Sequence, residues 1–63
     1  MTTTEALELA KQWPRDRTVP KRLRRGYDTA KGLQKVQIGM LTEALMAACQ
    51  NEADFALVAK YFG

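Results

Sequence analysis

The stretch that decides the fold is RDRTVPKRLRRGYDTAKGLQK (residues 15–35) followed directly by VQIGMLTEALMAA (residues 36–48). Eight of the chain's ten basic residues lie in the first part, against two acidic residues, which gives it a net charge of +6. The whole chain carries +3, so the remainder carries −3. A cationic segment beside an apolar one is typical of a small binding protein that pairs with itself and presents positive charge to a partner.

Chain length and composition predict one helical domain, residues 1–63, that associates with itself. A chain of 63 residues has a marginal core and usually needs a disulfide, a metal or association to stabilise it. Cys49 is the only cysteine and there is no histidine, so we expect no disulfide within the chain, no structural metal site and no cofactor. Self-association is the remaining route, and a hydrophobic content of 46% is consistent with a homodimer.

The sequence also predicts a cytoplasmic protein without catalytic activity. There is no apolar run of about 20 residues and no signal-peptide pattern, so we expect no membrane partner. The lack of a disulfide framework fits a reducing compartment. Without histidine, a glycine-rich phosphate loop or paired carboxylates, we expect neither an enzyme nor a small-molecule substrate.

Capping and periodicity predict the first helix over about Thr4 to Gln12. Thr2 and Glu5 have capping-box spacing, and Pro14 ends the run because the residue before a proline disfavours the helical region. One helical face is apolar, formed by Ala6, Leu9, Ala10 and Trp13.

Residues 14–19 are read as a short extended or loop segment, and Pro20 as the first residue of a second helix. Leu23, Tyr27 and Ala30 line one face of that helix. We expect Gly32 to cap its C-terminus, and a third helix to run from about Gln37 to Gln50. A last short helix follows Asn51, with capping spacing to Asp54 and an apolar face of Phe55, Val58, Ala59 and Phe62.

The third helix has an apolar arc broader than a single neighbouring helix would cover. It is therefore the predicted dimer interface, formed by Val36, Ile38, Met40, Leu41, Ala44, Leu45 and Ala48. The predicted fold is mainly α: a small bundle of three to four short helices in an intertwined or helix-packed homodimer, with at most one short strand near residues 14–19.

The basic cluster supplies the predicted partner-binding residues, because four bases occur within residues 21–25. They would neutralise DNA phosphates, meet an acidic protein surface, or form an ordinary solvated helix face. On a two-stranded ribbon, the side chains near residue 17 would read base edges; in a flexible loop they would not. The predicted binding set is Arg15, Arg17, Thr18, Lys21, Arg22, Arg24, Arg25 and Lys31.

From Asp16 to Ala48 the chain resembles the ribbon-helix-helix family of dimeric DNA-binding repressors. The resemblance consists of an Arg-Thr-Val stretch before Pro20, a glycine turn at Gly32, and two apolar helical faces. These faces are formed by Leu23, Tyr27 and Ala30 on the first helix, and by Ile38, Leu41 and Thr42-Glu43-Ala44-Leu45 on the second. The resemblance implies an intertwined dimer whose paired strands enter the major groove, with Arg15, Arg17 and Thr18 on or near the base-reading strand.

Two functions remain open at this point. The first is a small basic DNA-binding transcriptional regulator, such as a repressor, that acts as a homodimer. The second is a small helical adaptor or inhibitor, of the sort phages and plasmids encode, that binds and modulates a host protein such as a transcription regulator. In the second case Tyr61 and Phe62, if exposed, would anchor the contact.

Overall fold

The computed structural model describes all 63 residues as four helices, with 75% of the chain helical and no strand. The helices are α1 (Thr3–Ala10), α2 (Val19–Thr29), α3 (Gly32–Ala48) and α4 (Glu52–Phe62). The mainly α prediction is confirmed. The strand allowed near residues 14–19, which the ribbon-helix-helix resemblance requires, is absent, because residues 11–18 form turns.

Two helix starts follow the predicted capping chemistry. The Thr2 hydroxyl accepts a hydrogen bond from the Glu5 amide, and the Glu5 carboxylate accepts one from the Thr2 amide, which closes the capping box of α1. At α4, the Asn51 side chain accepts from the Asp54 amide. These bonds satisfy amides that a helix leaves without intrahelical partners.

The link between α2 and α3 differs from the prediction. Gly32 was expected to cap the C-terminus of the second helix, but α2 ends at Thr29 and Gly32 is the first residue of α3, with φ of +61°. Ala30 and Lys31 are extended, so two residues and a left-handed glycine complete the reversal. Because so little chain is used in the link, α3 begins five residues before the predicted start at Gln37.

The helices alternate in direction. Thr3 hydrogen-bonds Gln37 and Trp13 hydrogen-bonds Leu45, so α1 and α3 run the same way. Arg17 contacts Asp54 at the start of α4, and Arg24 contacts Phe62 at its end, so α2 and α4 run the same way as each other. Met1 packs against Gly26 near the end of α2, which sets α1 antiparallel to α2.

All four helices and the α1–α2 turn contribute to one core, which consists of Ala6, Leu9, Trp13, Val19, Leu23, Ile38, Leu45 and Val58. The indole Nε1 of Trp13 donates to the Leu45 carbonyl at 3.0 Å, so its one polar atom is satisfied inside the core. Trp13, which the sequence places on an apolar helical face, is thus part of the core. None of the four helices combines the length and the apolar character needed to cross a bilayer.

Candidate nucleic-acid interface

The outer side of α2 and its two flanks carry the most accessible positive charge of the molecule. Lys21 and Arg25 lie four residues apart on the helix, Arg15 lies in the preceding turn, and Lys31 follows the helix. All four are exposed, and none has a carboxylate within 4.0 Å. Together with Arg22 we call these residues the basic face. They match five of the eight predicted binding residues.

Arg22 is the one member of the basic face with an acidic partner. Its Nη1 lies 3.4 Å from Asp16 Oδ2, and its side chain is 54% exposed. Hydrogen bonds from the Thr18 hydroxyl and then the Thr18 amide, together with the charge of Arg22, lower the pKa of Asp16. Because a half-exposed ion pair of this length contributes little, Arg22 is free to exchange Asp16 for another anion.

Thr18 was predicted to contact bases, and the structure gives it a different role. Its amide and its hydroxyl both donate to Asp16 Oδ1, at 2.9 and 2.6 Å. The hydroxyl therefore fixes the turn that leads into α2. Without a strand, residues 14–19 have no regular alternation that would point several side chains into a groove.

Arg17 was also predicted to bind the partner, but the structure commits it to the fold. Its Nη1 donates to Asp54 Oδ1 at 2.5 Å and to the Pro14 carbonyl at 3.3 Å, and its guanidinium lies 4.7 Å from the centroid of the Trp13 ring. These contacts join the α1–α2 turn to the start of α4. Removing Arg17 would leave a nearly buried carboxylate without its counter-charge.

Asp54 is the buried partner of Arg17, and we call this ion pair the clamp. The residue is 3% exposed, and its Oδ2 accepts a hydrogen bond from the Gln50 amide at 2.8 Å. That amide hydrogen bond, followed by the bond from Arg17, lowers the pKa of Asp54. The carboxylate is therefore charged and fully bonded at neutral pH, as a structural group. Sequence reasoning treated Asp54 only as part of a cap, because its partner lies 37 residues away.

Arg24 is likewise held within the chain. It pairs with Asp28 at 3.0 Å, and its guanidinium lies 5.1 Å from the Tyr27 ring centroid and 5.7 Å from that of Phe62. The two rings meet edge-on at 6.3 Å. Arg24 thus covers the contact between α2 and α4. Phe62, expected as an exposed anchor in the adaptor hypothesis, is half-buried in the same cluster, and Tyr61 is half-buried as well.

A shallow depression of about 370 Å³ lies on the basic face between the N-terminus and α2. It is lined by Met1, Arg22, Arg25, Gly26 and Thr29. Gly26 is buried here against Met1, and a Cβ at this position would lie only 2.6 Å from the Met1 sulfur. Two guanidinium groups at one concave surface form an arrangement that suits a phosphate group.

The predicted dimer residues separate into two groups. Ile38 and Leu45 are 0% and 1% exposed inside the core of the single chain, so they are not available to a second copy. Leu41 and Ala48 are half-buried against that core, whereas the exposed members are Val36, Met40 and Ala44. The arc looked broad in the sequence because α3 has an inner and an outer apolar side.

Two exposed hydrophobic residues that sequence reasoning did not place on a surface lie beside the exposed members of the predicted dimer interface. Leu33 is 71% exposed and lies three residues before Val36 and seven before Met40, so it continues the same helical stripe. It was omitted because the third helix was predicted to begin at Gln37. Leu7 is 44% exposed on the side of α1 that also carries Thr3.

No group of three or more histidine, cysteine, aspartate or glutamate side chains is placed to hold a metal ion. Comparison of the chain with protein-family models, with curated proteins and with solved structures returned no match.

Proposed function

We propose that this protein is a small regulator that binds duplex DNA through its basic face and acts as a homodimer. One observation carries the proposal: Arg15, Lys21, Arg25 and Lys31 are exposed and have no acidic partner along one helix and its flanks. A solvated helix face normally intersperses such charges with acidic residues, and here only Asp28 does so on the outer side of α2.

The expected mode of binding is phosphate neutralisation by an exposed helix. The 11 residues of α2 span about 16 Å, which corresponds to about five base-pair steps along a duplex. Lys21 and Arg25 project from successive turns of this helix, and Arg15 and Lys31 extend the contact at each end. The first turn of α2 holds no acidic residue, so its amides add positive potential.

Any base contacts in this proposal come from α2 rather than from residues 14–19. Arg17 and Thr18 already bond Asp54 and Asp16. Arg25 lies at the centre of the basic face, and arginine is the side chain that pairs bidentately with guanine.

The test is duplex affinity as a function of salt. Each phosphate contact contributes about −0.9 to the slope of log K against log salt, so the four unpaired cations of each chain predict a slope near −3.6 for each chain bound. The Lys21→Ala/Arg25→Ala double variant is expected to reduce its magnitude by about 1.8. Lys60→Ala, which removes an exposed charge from α4, is the control and should leave the slope unchanged. A double variant with the wild-type slope would refute the proposal.

The adaptor function is the second candidate, and one observation favours it. The outer side of α3 exposes large apolar side chains that a host protein would cover, with Leu33 and Met40 71% and 65% exposed. In that function the basic face would meet an acidic protein surface. Absence of duplex binding at low salt, with a folded protein, would favour the adaptor over the DNA-binding regulator.

A further inference from the structure

The outer side of α3 is an apolar surface that no other part of the chain covers. Leu33, Met40 and Val36 are 71%, 65% and 57% exposed, the three highest values among the large hydrophobic residues. Ala44 and Ala47 continue the same stripe and are exposed too. We call these five residues the apolar face. It contains no basic residue, so it is chemically separate from the basic face.

The apolar face is arranged symmetrically about Met40 in position and asymmetrically in size. Leu33 and Ala47 lie seven residues before and after Met40, and Val36 and Ala44 lie four residues before and after it. In each pair the large side chain lies on the N-terminal side and the alanine on the C-terminal side. A surface of this kind is complementary to a reversed copy of itself.

We propose that a second copy of the chain docks antiparallel on the apolar face, with a two-fold axis beside Met40. In that arrangement Leu33 lies opposite Ala47 of the second copy, and Val36 lies level with Ala44 of the second copy. Leu33 and Val36 each meet an alanine, so the helices approach closely on both sides of the axis, where Met40 of one copy meets Met40 of the other. The spacing of seven between Leu33, Met40 and Ala47 matches left-handed packing at about 20°.

A parallel pair fits these residues less well. It would place Leu33 against Leu33 and Ala47 against Ala47, which crowds one end of the contact and leaves a gap at the other. An unrelated host protein would need its own matching gradient of side-chain size. The size pattern therefore favours a second copy as the occupant.

Helix α1 adds area on one side of the contact. The bonds from Thr3 to Gln37 and from Trp13 to Leu45 place Leu7 near the level of Met40. A two-fold axis beside Met40 brings both copies of Leu7 to the same side of the helix pair. A standard interface covers about 800 Å² per partner, and this chain exposes 4166 Å² in all. Leu7, which is 44% exposed, adds apolar area to the contact made by the apolar face.

Hydrodynamic mass gives the first test. This inference rests on the dimeric state given under the proposed function. The mass is therefore measured without DNA, so that failure to dimerise can be told apart from failure to bind DNA. We expect the wild-type chain to sediment as a dimer at micromolar concentration, and Met40→Lys to raise the dissociation constant at least a hundredfold. Met46→Lys alters the same residue type on another side of α3, where Met46 is 39% exposed, and should stay dimeric. Circular dichroism checks that each variant remains folded.

Disulfide cross-linking tests the orientation. In a Cys49→Ser background, mixed Leu33→Cys and Ala47→Cys chains are expected to form a heterodimeric disulfide, because their Cα atoms fall within about 7 Å. Either variant alone should not cross-link, since like positions lie about 21 Å apart at 1.5 Å per residue. Cross-linking of Leu33→Cys with itself would show a parallel pair and overturn the inference, as would a monomeric wild-type chain. A confirmed dimer that fails to bind duplex would refute only the DNA-binding proposal.

Discussion

The outer sides of α2 and α3 expose opposite chemistry. On α2 the exposed positions hold Lys21, Arg22 and Arg25; on α3 they hold Leu33, Val36 and Met40. Both helices also bury an apolar inner side in one core, through Leu23 and Ile38. Hydrophobic residues in this chain therefore form two sets, one buried in the core on the inner sides and one exposed on the outer side of α3, where we propose that a second copy docks.

The charged residues divide in the same way. Arg17 and Arg24 are bound by carboxylates and aromatic rings of their own chain, whereas Arg15 and Arg25 have no acidic partner. A count of basic residues therefore overstates the charge available to a partner. The predicted binding surface and the predicted dimer surface each contain residues that the fold already uses.

The largest expected effect separates the inner side of α3 from its outer side. Leu45→Ala should lower the free energy of unfolding by about 2–5 kcal/mol, because the side chain is fully buried and leaves a cavity. Leu33→Ala makes the same chemical change at an exposed position and should stay within about 0.5 kcal/mol. Urea denaturation of both variants in a Met40→Lys background measures the two losses without the contribution of dimerisation. Equal losses of unfolding free energy in the two variants would contradict the distinction between the inner and outer sides of α3.

The next effect concerns the link that sets α2 against α3. Gly32→Ala should cost about 1–2 kcal/mol, because a Cβ is strained at a φ of +61°. No atom lies within 4 Å of the added Cβ, so the cost comes from the backbone alone. Gly32→Asn should lose less, since asparagine adopts the left-handed region more readily. Thermal denaturation monitored by circular dichroism ranks the three proteins, and an alanine variant as stable as wild type would contradict the role given to Gly32.

The clamp between the α1–α2 turn and α4 should respond to pH. Because folding lowers the pKa of Asp54, its charge stabilises the folded state above the ordinary carboxyl pKa of about 4, and that stabilisation is lost as pH falls through the lowered value. Asp54→Asn should therefore be less stable than wild type at pH 7, with the two converging in acid. Asp28→Asn, at an exposed pair with Arg24, is the control and should change stability by less than about 0.5 kcal/mol at pH 7. A constant gap between Asp54→Asn and wild type at every pH would exclude a contribution from the charge.

The smallest effect on stability is expected on the basic face. Arg25→Met should leave the free energy of unfolding within about 0.5 kcal/mol of wild type and weaken duplex binding. Arg17→Met should do the opposite, because its guanidinium bonds Asp54 and stacks on Trp13. Chemical denaturation and fluorescence anisotropy on the same preparations give both values. If both variants were fully folded in the binding assay and Arg17→Met weakened duplex binding as much as Arg25→Met, Arg17 would belong to the binding surface.

Local chemistry made much of the fold predictable. The caps at Thr2 and Asn51, the break near Gly32 and the burial of Trp13 all follow from interactions within a few residues or from side-chain polarity. The start of α3 was predicted too late because Gly32, followed by Gln34 and Lys35, has the pattern of a glycine that caps the end of a helix. Whether it ends one helix or begins the next depends on tertiary packing.

The sequence predicted where the candidate site lies better than it predicted which residues belong to it. The concentration of bases on α2 is visible in the sequence, and five of its predicted residues remain accessible. The loss of Arg17 and Arg24 could not be foreseen, because Asp54 and Phe62 reach them only through long-range packing. For the same reason, periodicity alone could not divide the apolar residues of α3 between core and surface.

Sedimentation velocity of a fluorescent duplex mixed with the protein tests most directly whether the basic face binds DNA while the apolar face binds a second copy. Wild type is expected to add two chains to the duplex. Met40→Lys should add single chains with lower affinity, and Lys21→Ala/Arg25→Ala should remain a dimer that leaves most of the duplex free at moderate salt. Wild-type binding by the Lys21→Ala/Arg25→Ala dimer, or two-chain complexes formed equally well by Met40→Lys, would contradict this division of the surface.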